Sequence, residues 1–330
     1  MSKPQVFVSR KIPEAGLELL RQHCDVYVWP HDRAPTTEEL IAESKGKDAL
    51  VCLLTDKVDA RVLAAAPTLK IVANVAVGFD NLDVAAGSAA GVLMTNTPGV
   101  LDETTADLAF ALLMAVARRL VEADTLVRSG TWTGWGILQM LGHDVHHANL
   151  GIVGFGRIGR GVAKRAQGFS MKVNYYDAQP VPPDLARELG ASYLPLDELL
   201  STSDFISVHV PLLPETHHLI DAAALRKMKP SAILVNTSRG PVVDEAALVQ
   251  ALRAGVIAGA GLDVYEEEPR QAAGLAELPN VVLLPHIGSA SFATRDKMAV
   301  IAAQNVIAYF AGENPPTALN PEVLRSSSRA

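Results

Sequence analysis

The chain has 330 residues, 49% hydrophobic and 20% charged, with a formal net charge of -7. Because single hydrophobic cores stop growing at about 250 residues, this length predicts two domains. The acidic balance argues against nucleic acid as a partner. The apolar runs are too short to span a membrane, and the start lacks a signal-peptide pattern, so we expect a cytoplasmic protein without membrane partners.

Short runs rich in Val, Ile and Leu alternate with helical patterns in the first third of the chain. Helices are predicted to begin near Pro13, Thr37, Asp59 and Asp83, where Pro, Asp or Thr suits a helix start. The predicted strands cover residues 5–9, 25–28, 49–53, 71–74 and 93–95. This alternation is typical of a parallel sheet with crossover helices, so the predicted fold class is α/β.

Residues 96–99 (Asn-Thr-Pro-Gly) break this pattern, and the apolar periodicity of residues 102–128 predicts one long helix. A second series of strands is predicted at 149–153, 173–176, 205–209, 232–236, 257–262 and 281–284. The last helical pattern, 291–311, is predicted to return to the first domain. Residues 100–288 would thus form a nucleotide-binding domain inserted into a substrate domain of residues 1–99 and 289–330, with a cleft between them.

A glycine-rich loop lies between the predicted strand 149–153 and a helix. Gly154 permits a tight turn, Gly156 lets the backbone approach a pyrophosphate, and Gly159 allows the helix to pack on the strand. Asp177 ends the next strand, 18 positions after Gly159. A carboxylate there binds the ribose hydroxyls and repels a 2'-phosphate, so we predict NAD(H) over NADP(H). The predicted cofactor-binding residues of the loop are Gly154, Gly156, Arg157, Ile158 and Gly159.

Polar segments follow three of the later predicted strands, at residues 236–240, 263–269 and 284–289. In open parallel sheets, ligands bind at this edge. These segments contain Arg239, an acidic run at residues 266–268, and His286. By contrast, we predict no metal site at His143, His146 and His147.

Five motifs together resemble the D-isomer-specific 2-hydroxyacid dehydrogenases, with glyoxylate and hydroxypyruvate reductases as the nearest branch. The motifs are VAVGFDN at 75–81, GFGRIG at 154–159, SRGPVVD at 238–244, GLDVY at 261–265 and PHIG at 285–288. The resemblance implies two doubly wound parallel-sheet domains, a Rossmann-type nucleotide domain inserted into a flavodoxin-like substrate domain. It also implies reduction of a small 2-keto acid to the D-2-hydroxy acid.

The resemblance implies three catalytic residues whose chemistry fits this reaction. Arg239 would bind the substrate carboxylate and polarise the carbonyl through its two-pronged donor. His286 would give a proton to the forming alkoxide. The family pattern places the catalytic carboxylate directly before Pro269, which selects Glu268 from the acidic run. Glu268 would orient the imidazole and stabilise its protonated form.

The resemblance also implies substrate contacts and a partner. The backbone N–H groups of Val77 and Gly78 would bind the substrate carboxylate, with Leu53 lining the pocket. Trp132 and Trp135 resemble a tryptophan pair that contacts the partner subunit, which implies a homodimer in which Trp135 reaches the partner's active site. Alternatively, both indoles pack within their own subunit. Further implied cofactor-binding residues are Thr105, Val210, Pro211, Thr216, Thr237, Asp263 and Gly288.

Alternative functions stay open at this point. Glyoxylate, hydroxypyruvate and 2-ketogluconate are all compatible substrates, because a small apolar pocket discriminates a methylene by only about 1–3 kcal/mol. Relatives that oxidise phosphite carry Lys where this chain has Val77, and formate-type relatives lack the Glu268–His286 pair. A third alternative is an NAD-sensing protein that resembles the corepressors of this fold, which keep the same motifs.

Overall fold

The computed structural model describes residues 2–327 of the chain. Contacts divide the chain into two compact units, Met1–Leu101 with Ser289–Ala330, and Asp102–Gly288. Each unit is built on one wholly parallel β-sheet. Over residues 2–327, no helix is both long enough and apolar enough to cross a membrane.

The first unit contains a five-stranded sheet with the strand order β2-β1-β3-β4-β5, the flavodoxin-like order. Its strands are β1 (Gln5–Val8), β2 (Asp25–Val28), β3 (Ala49–Cys52), β4 (Ile71–Asn74) and β5 (Leu93–Thr95). Its helices are α1 (Glu14–His23), α2 (Thr37–Ser44), α3 (Ala60–Ala65), α4 (Val84–Ala90), α12 (Phe292–Phe310) and α13 (Glu322–Ser327). The side chains of Thr36, Asp59 and Asp83 cap α2, α3 and α4. Helix α12 packs so closely on α1 that a Cβ at Gly16 would lie 2.7 Å from Ala299.

The second unit contains a seven-stranded sheet with the order β12-β11-β10-β9-β6-β7-β8. Its strands are β6 (Asn149–Val153), β7 (Lys172–Tyr176), β8 (Ala191–Tyr193), β9 (Phe205–Val208), β10 (Ile233–Asn236), β11 (Gly259–Leu262) and β12 (Val281–Leu283). Its helices are α5 (Asp102–Ala117), α6 (Leu120–Arg128), α7 (Arg157–Gln167), α8 (Pro183–Glu188), α9 (Leu196–Thr202), α10 (Ala222–Lys227) and α11 (Glu245–Arg253). The strand order reverses between β6 and β9, as in the Rossmann fold, and ligands bind outside the carboxyl ends of the strands at such a point. The predicted α/β class and the two sheet types are confirmed.

The prediction of one continuous helix over residues 102–128 is wrong. Helix α5 ends at Ala117, and Arg119 adopts a left-handed conformation (φ 53°) before α6 begins. The carbonyl of Ala117 accepts the N–H of His143 (2.8 Å) instead of an N–H from the next helical turn. A contact from a distant segment therefore ends the helix. The sequence around this point contains neither Gly nor Pro, the residues that usually mark a helix break.

Candidate active site

The glycine-rich loop connects β6 to α7 at the carboxyl end of the sheet. Gly154 has φ 96°, and a Cβ there would lie 2.7 Å from the backbone of Val210. A Cβ on Gly159 would overlap the Gly154 carbonyl. At Gly156, by contrast, no described atom lies within 4 Å of the Cβ position. Gly156 is also the N-cap residue of α7, and because it has no side chain, the first N–H groups of the helix have no side-chain cap. The loop therefore packs tightly on the protein side and presents open backbone to a ligand.

Asp177 follows β7 directly. Its Oδ2 accepts the N–H of Phe155, in the middle of the glycine-rich loop, at 2.7 Å. The carboxylate is thus fixed beside the glycine-rich loop.

Arg239 lies in the loop after β10. The buried side chain of Asn236 shapes this loop, because its Nδ2 donates to the Arg239 carbonyl (2.9 Å) and its Oδ1 accepts the Ser238 N–H (3.0 Å). The next residue, Gly240, lies directly against the backbone of Tyr265 and Glu266, where a Cβ would overlap it. The loop of Arg239 and the loop after β11 are therefore packed backbone to backbone.

His286 and Glu268 form a hydrogen-bonded pair. The imidazole Nδ1 lies 2.8 Å from Glu268 Oε2 and 3.1 Å from Oε1, and the two side chains are 25% and 30% exposed. Burial opposes ionisation, but the hydrogen bond and charge of His286, with the charge of Arg239, lower the pKa of Glu268. The His286 Nε2 has no hydrogen-bond partner among the described residues. The pair therefore offers one fixed nitrogen and one nitrogen open to a substrate.

The other two members of the acidic run face elsewhere. Glu267 forms an exposed ion pair with Arg270 (2.9 Å). Glu266 Oε2 lies 3.2 Å from His218 Nε2. Of the three carboxylates, the structure brings Glu268 to His286.

Asp263 holds the turn that presents His286. Its Oδ1 and Oδ2 accept the N–H groups of Ile287 and Gly288, each at 2.7 Å, and His286 adopts a left-handed φ of 54°. Burial raises the pKa of Asp263, although these donors and His286 partly offset the rise. Thr105 completes the turn by donating to the Gly288 carbonyl (3.2 Å). Both residues are predicted cofactor contacts, and no local sequence pattern signals the structural contacts that they make here.

The remaining predicted cofactor residues differ in their contacts. The Thr216 hydroxyl stabilises its own loop, donating to the Pro211 carbonyl (2.6 Å) and accepting the Leu213 N–H (2.8 Å). The Thr237 hydroxyl, at the end of β10, is buried without a hydrogen-bond partner among the described residues. An orphaned buried hydroxyl at the ligand-binding edge fits a bound polar group.

In the first unit, three asparagine side chains fix the predicted substrate loop. Asn96 donates to the Val77 carbonyl (2.7 Å), and Asn74 donates to the Gly78 carbonyl (3.0 Å). Asn81 donates to the Leu53 carbonyl (3.1 Å) and so links this loop to the end of β3. The N–H groups of Val77 and Gly78 have no partner within the described part of the chain. These hydrogen bonds were not predicted, although three Asn residues around a Gly loop are a usable signal.

Trp135 belongs to an exposed apolar segment of the second unit. Its side chain is 80% exposed, and Trp132 is 50% exposed. The alternative that both indoles pack within their own subunit is therefore wrong for Trp135. The other exposed large apolar side chains of this segment are Leu120, Val121, Val127, Ile137, Leu138 and Leu141. We name residues 120–141 the apolar segment.

Comparison with known proteins identifies the family of this chain. The family model for the NAD binding domain of D-isomer specific 2-hydroxyacid dehydrogenases matches residues 110–288. A glyoxylate reductase from Korarchaeum cryptofilum (strain OPF8) is 54% identical over 325 residues, covering 98% of this chain and 98% of its own.

Two solved structures extend the comparison. A glyoxylate reductase from Paecilomyes thermophila is 32% identical with a TM-score of 0.87, covering 98% of this chain and 100% of its own. An NADPH-dependent glyoxylate/hydroxypyruvate reductase from Sinorhizobium meliloti, in complex with NADP and malonate, is 34% identical with a TM-score of 0.87, covering 97% of this chain and 98% of its own. The chain therefore belongs to the D-isomer specific 2-hydroxyacid dehydrogenase family.

Proposed function

We propose that this protein reduces a small 2-keto acid, glyoxylate or hydroxypyruvate in the first instance, to the D-2-hydroxy acid with NADH. The observation that carries the proposal is the Glu268–His286 hydrogen bond, 2.8 Å long, at the sheet edge that also carries Arg239 and the glycine-rich loop. The named activities of the similar reductases support the same substrate class.

Each catalytic residue has a distinct role in this proposal. His286 donates a proton from Nε2 to the oxygen of the substrate carbonyl as that oxygen gains negative charge. Glu268 accepts a hydrogen bond from the Nδ1–H group, which leaves Nε2 facing the substrate and stabilises the charged imidazole. Arg239 binds the substrate carboxylate and polarises the carbonyl. In the direction of alcohol oxidation, His286 accepts the hydroxyl proton.

The nicotinamide cofactor supplies the hydride when it is bound. The chain's residues fit such a cofactor, since Gly156 leaves open backbone at the start of α7 and the buried Thr237 hydroxyl lacks a partner among the described residues. We assign NAD(H) as the preferred form because the Asp177 carboxylate, held beside the glycine-rich loop, would bind the ribose hydroxyls and repel a 2'-phosphate. Because one similar reductase is NADPH-dependent, the preference of this chain for NADH over NADPH should be measured directly.

We assign the substrate carboxylate to the N–H groups of Val77 and Gly78, with Leu53 lining the pocket. Three asparagines fix the loop through the carbonyls of these residues. The N–H groups of Val77 and Gly78 have no partner among the described residues, so they are available to an anion.

We further propose that the apolar segment is the interface of a homodimer, with Trp135 contributing to the partner's substrate site. Large exposed apolar surfaces on soluble proteins mark interaction sites, and Leu138 is 78% exposed.

A Leu138→Glu variant should sediment as a monomer where the wild type sediments as a dimer. Phe292, 96% exposed on the first unit, provides the matched control Phe292→Glu, which should leave the dimer intact. A monomeric wild type would contradict the proposal.

The deciding experiment follows the loss of reduced-nicotinamide absorbance when purified protein meets NADH with glyoxylate, hydroxypyruvate, pyruvate, 2-ketogluconate or phenylpyruvate. We expect rapid oxidation with glyoxylate or hydroxypyruvate, and a product of D configuration in the hydroxypyruvate reaction. Measurable NADH binding with no oxidation by any of these acids would contradict the proposal and favour an NAD-sensing protein.

A further inference from the structure

One buried carboxylate holds both ends of the loop that carries Glu268. Glu245 is the first residue of α11 and only 4% exposed. Its Oε1 accepts the N–H of Glu266 (3.0 Å), and its Oε2 accepts the N–H of Ala272 (2.8 Å). These two anchors lie on either side of Glu268 in sequence, so Glu245 closes residues 266–272 into a fixed loop.

The contact between α11 and this loop is reciprocal. The N–H of Glu245 donates to Glu266 Oε1 at 2.7 Å, and the other oxygen of Glu266 lies 3.2 Å from His218 Nε2. Each glutamate therefore accepts the backbone N–H of the other. Such a pair fixes the register of two segments more firmly than one hydrogen bond would, because neither side chain can turn away without losing its partner.

The buried position of Glu245 disfavours the ionised form of its carboxyl group. Burial raises its pKa, the two backbone donors lower it, and the nearby charges of Glu266 and Glu268 raise it again. No ion pair with Glu245 is present among the described residues, so the carboxyl group is held by backbone N–H groups of the loop. Helix α11 does not need this carboxylate for its cap, because Asp244 accepts the N–H of Ala247 (2.8 Å).

The loop anchored by Glu245 is also the one that packs against Gly240, next to Arg239. Within the loop, Glu268 Oε1 accepts the Tyr265 N–H (3.1 Å) while the carboxylate holds His286 Nδ1. The positions of all three proposed catalytic residues thus depend on the course of residues 265–272.

We propose that Glu245 is a positioning residue for the reaction, which holds the 266–272 loop so that Glu268 stays hydrogen-bonded to His286. This inference rests on the proposed function, since it gives Glu268 a catalytic role. The variant Glu245→Gln tests this positioning role, because the Gln side chain has nearly the same size as the Glu side chain. The Gln side chain has a single acceptor oxygen, so its NH2 group faces one of the two loop N–H groups and that anchor is lost.

The experiment is a double-mutant cycle with Glu268→Gln, in which kcat for the best keto acid and the Kd of NADH are measured for the four proteins. If Glu245 acts through Glu268, Glu245→Gln should lower kcat by about tenfold in the wild-type background, a loss of ~1.4 kcal/mol. In the Glu268→Gln background, where the pair is already broken, the same change should have little effect. The Kd of NADH should stay within about twofold throughout.

Asp221 provides the matched control. Its carboxylate also accepts two backbone N–H groups as the N-cap of α10, those of Ala223 and Ala224 (2.8 Å each, both to Oδ1), and neither bond involves the 266–272 loop. Asp221→Ala, which removes both bonds, should lower the Tm and leave kcat unchanged. If Glu245→Gln does not fold, the same cycle is run with Glu245→Asp, which keeps the charge and shortens its reach.

Equal losses of kcat in the two backgrounds would overturn the positioning role, as would loss of NADH binding in both Glu245 variants. Failure of the proposed function is distinguishable, because the wild type would then turn over none of the keto acids, whereas an unchanged kcat in Glu268→Gln alone would remove only the catalytic role of Glu268.

Discussion

Replacing Gly240 by Ala tests whether the spacing of the two catalytic loops controls turnover. The three atoms nearest to the Cβ position are backbone atoms of Tyr265 and Glu266, which cannot rotate away as a side chain could. The Arg239 loop must therefore move away from the loop of Glu268, by a distance on the order of 1 Å, and misplacement of this size costs up to about 100-fold in rate. Overpacking also costs about 1–3 kcal/mol of stability, which for a domain of this size lowers the Tm by roughly 3–10 °C.

The matched control is Gly168→Ala. Gly168 has right-handed helical backbone angles (φ -63°, ψ -17°), and the atom nearest to its Cβ position, the Arg165 carbonyl oxygen, lies at an ordinary 3.4 Å. Alanine there should leave kcat unchanged and should keep or slightly raise the Tm. The assay is steady-state reduction of the best keto acid together with thermal unfolding. A Gly240→Ala protein that matches Gly168→Ala in both kcat and Tm would refute the reasoning.

Three further predictions concern single side chains. His286→Ala should lower kcat by about 100-fold or more with little change in the Kd of NADH, and near-wild-type turnover would exclude His286 as the proton donor. Asp177→Ala should raise the NADPH to NADH ratio of kcat/KM by about tenfold or more, whereas a wild type that already prefers NADPH would contradict the role of Asp177. Burial lowers the pKa of His209 from 6.5 to about 3, so the unfolded chain takes up a proton below pH 6.5 that the folded protein does not. Stability should therefore fall with falling pH below 6.5, by up to about 1.4 kcal/mol per unit, and His209→Gln, followed by thermal unfolding across this range, should reduce that slope. An unchanged slope would show that the imidazole titrates normally.

The amino-acid sequence predicted the fold class and the two sheets because strand and helix periodicity are local properties. Runs such as residues 149–153 and 205–209 are apolar on both faces, which only a sheet covered by helices can bury. The observed strands Asn149–Val153 and Phe205–Val208 lie within these runs. The break at Arg119 was not predictable in this way, since it depends on the His143 N–H from a segment far along the chain.

For the candidate site, the sequence determined which side chains are present and the tertiary structure decided which of them meet. Three adjacent glutamates have nearly the same local pattern, and only the folded loop directs Glu268 to His286 and Glu266 to His218. The same is true of Glu245, whose partners lie 21 and 27 positions away. Hydrogen bonds between distant segments leave no periodic trace in the chain, so these pairings become visible only when strands and loops are brought together in space.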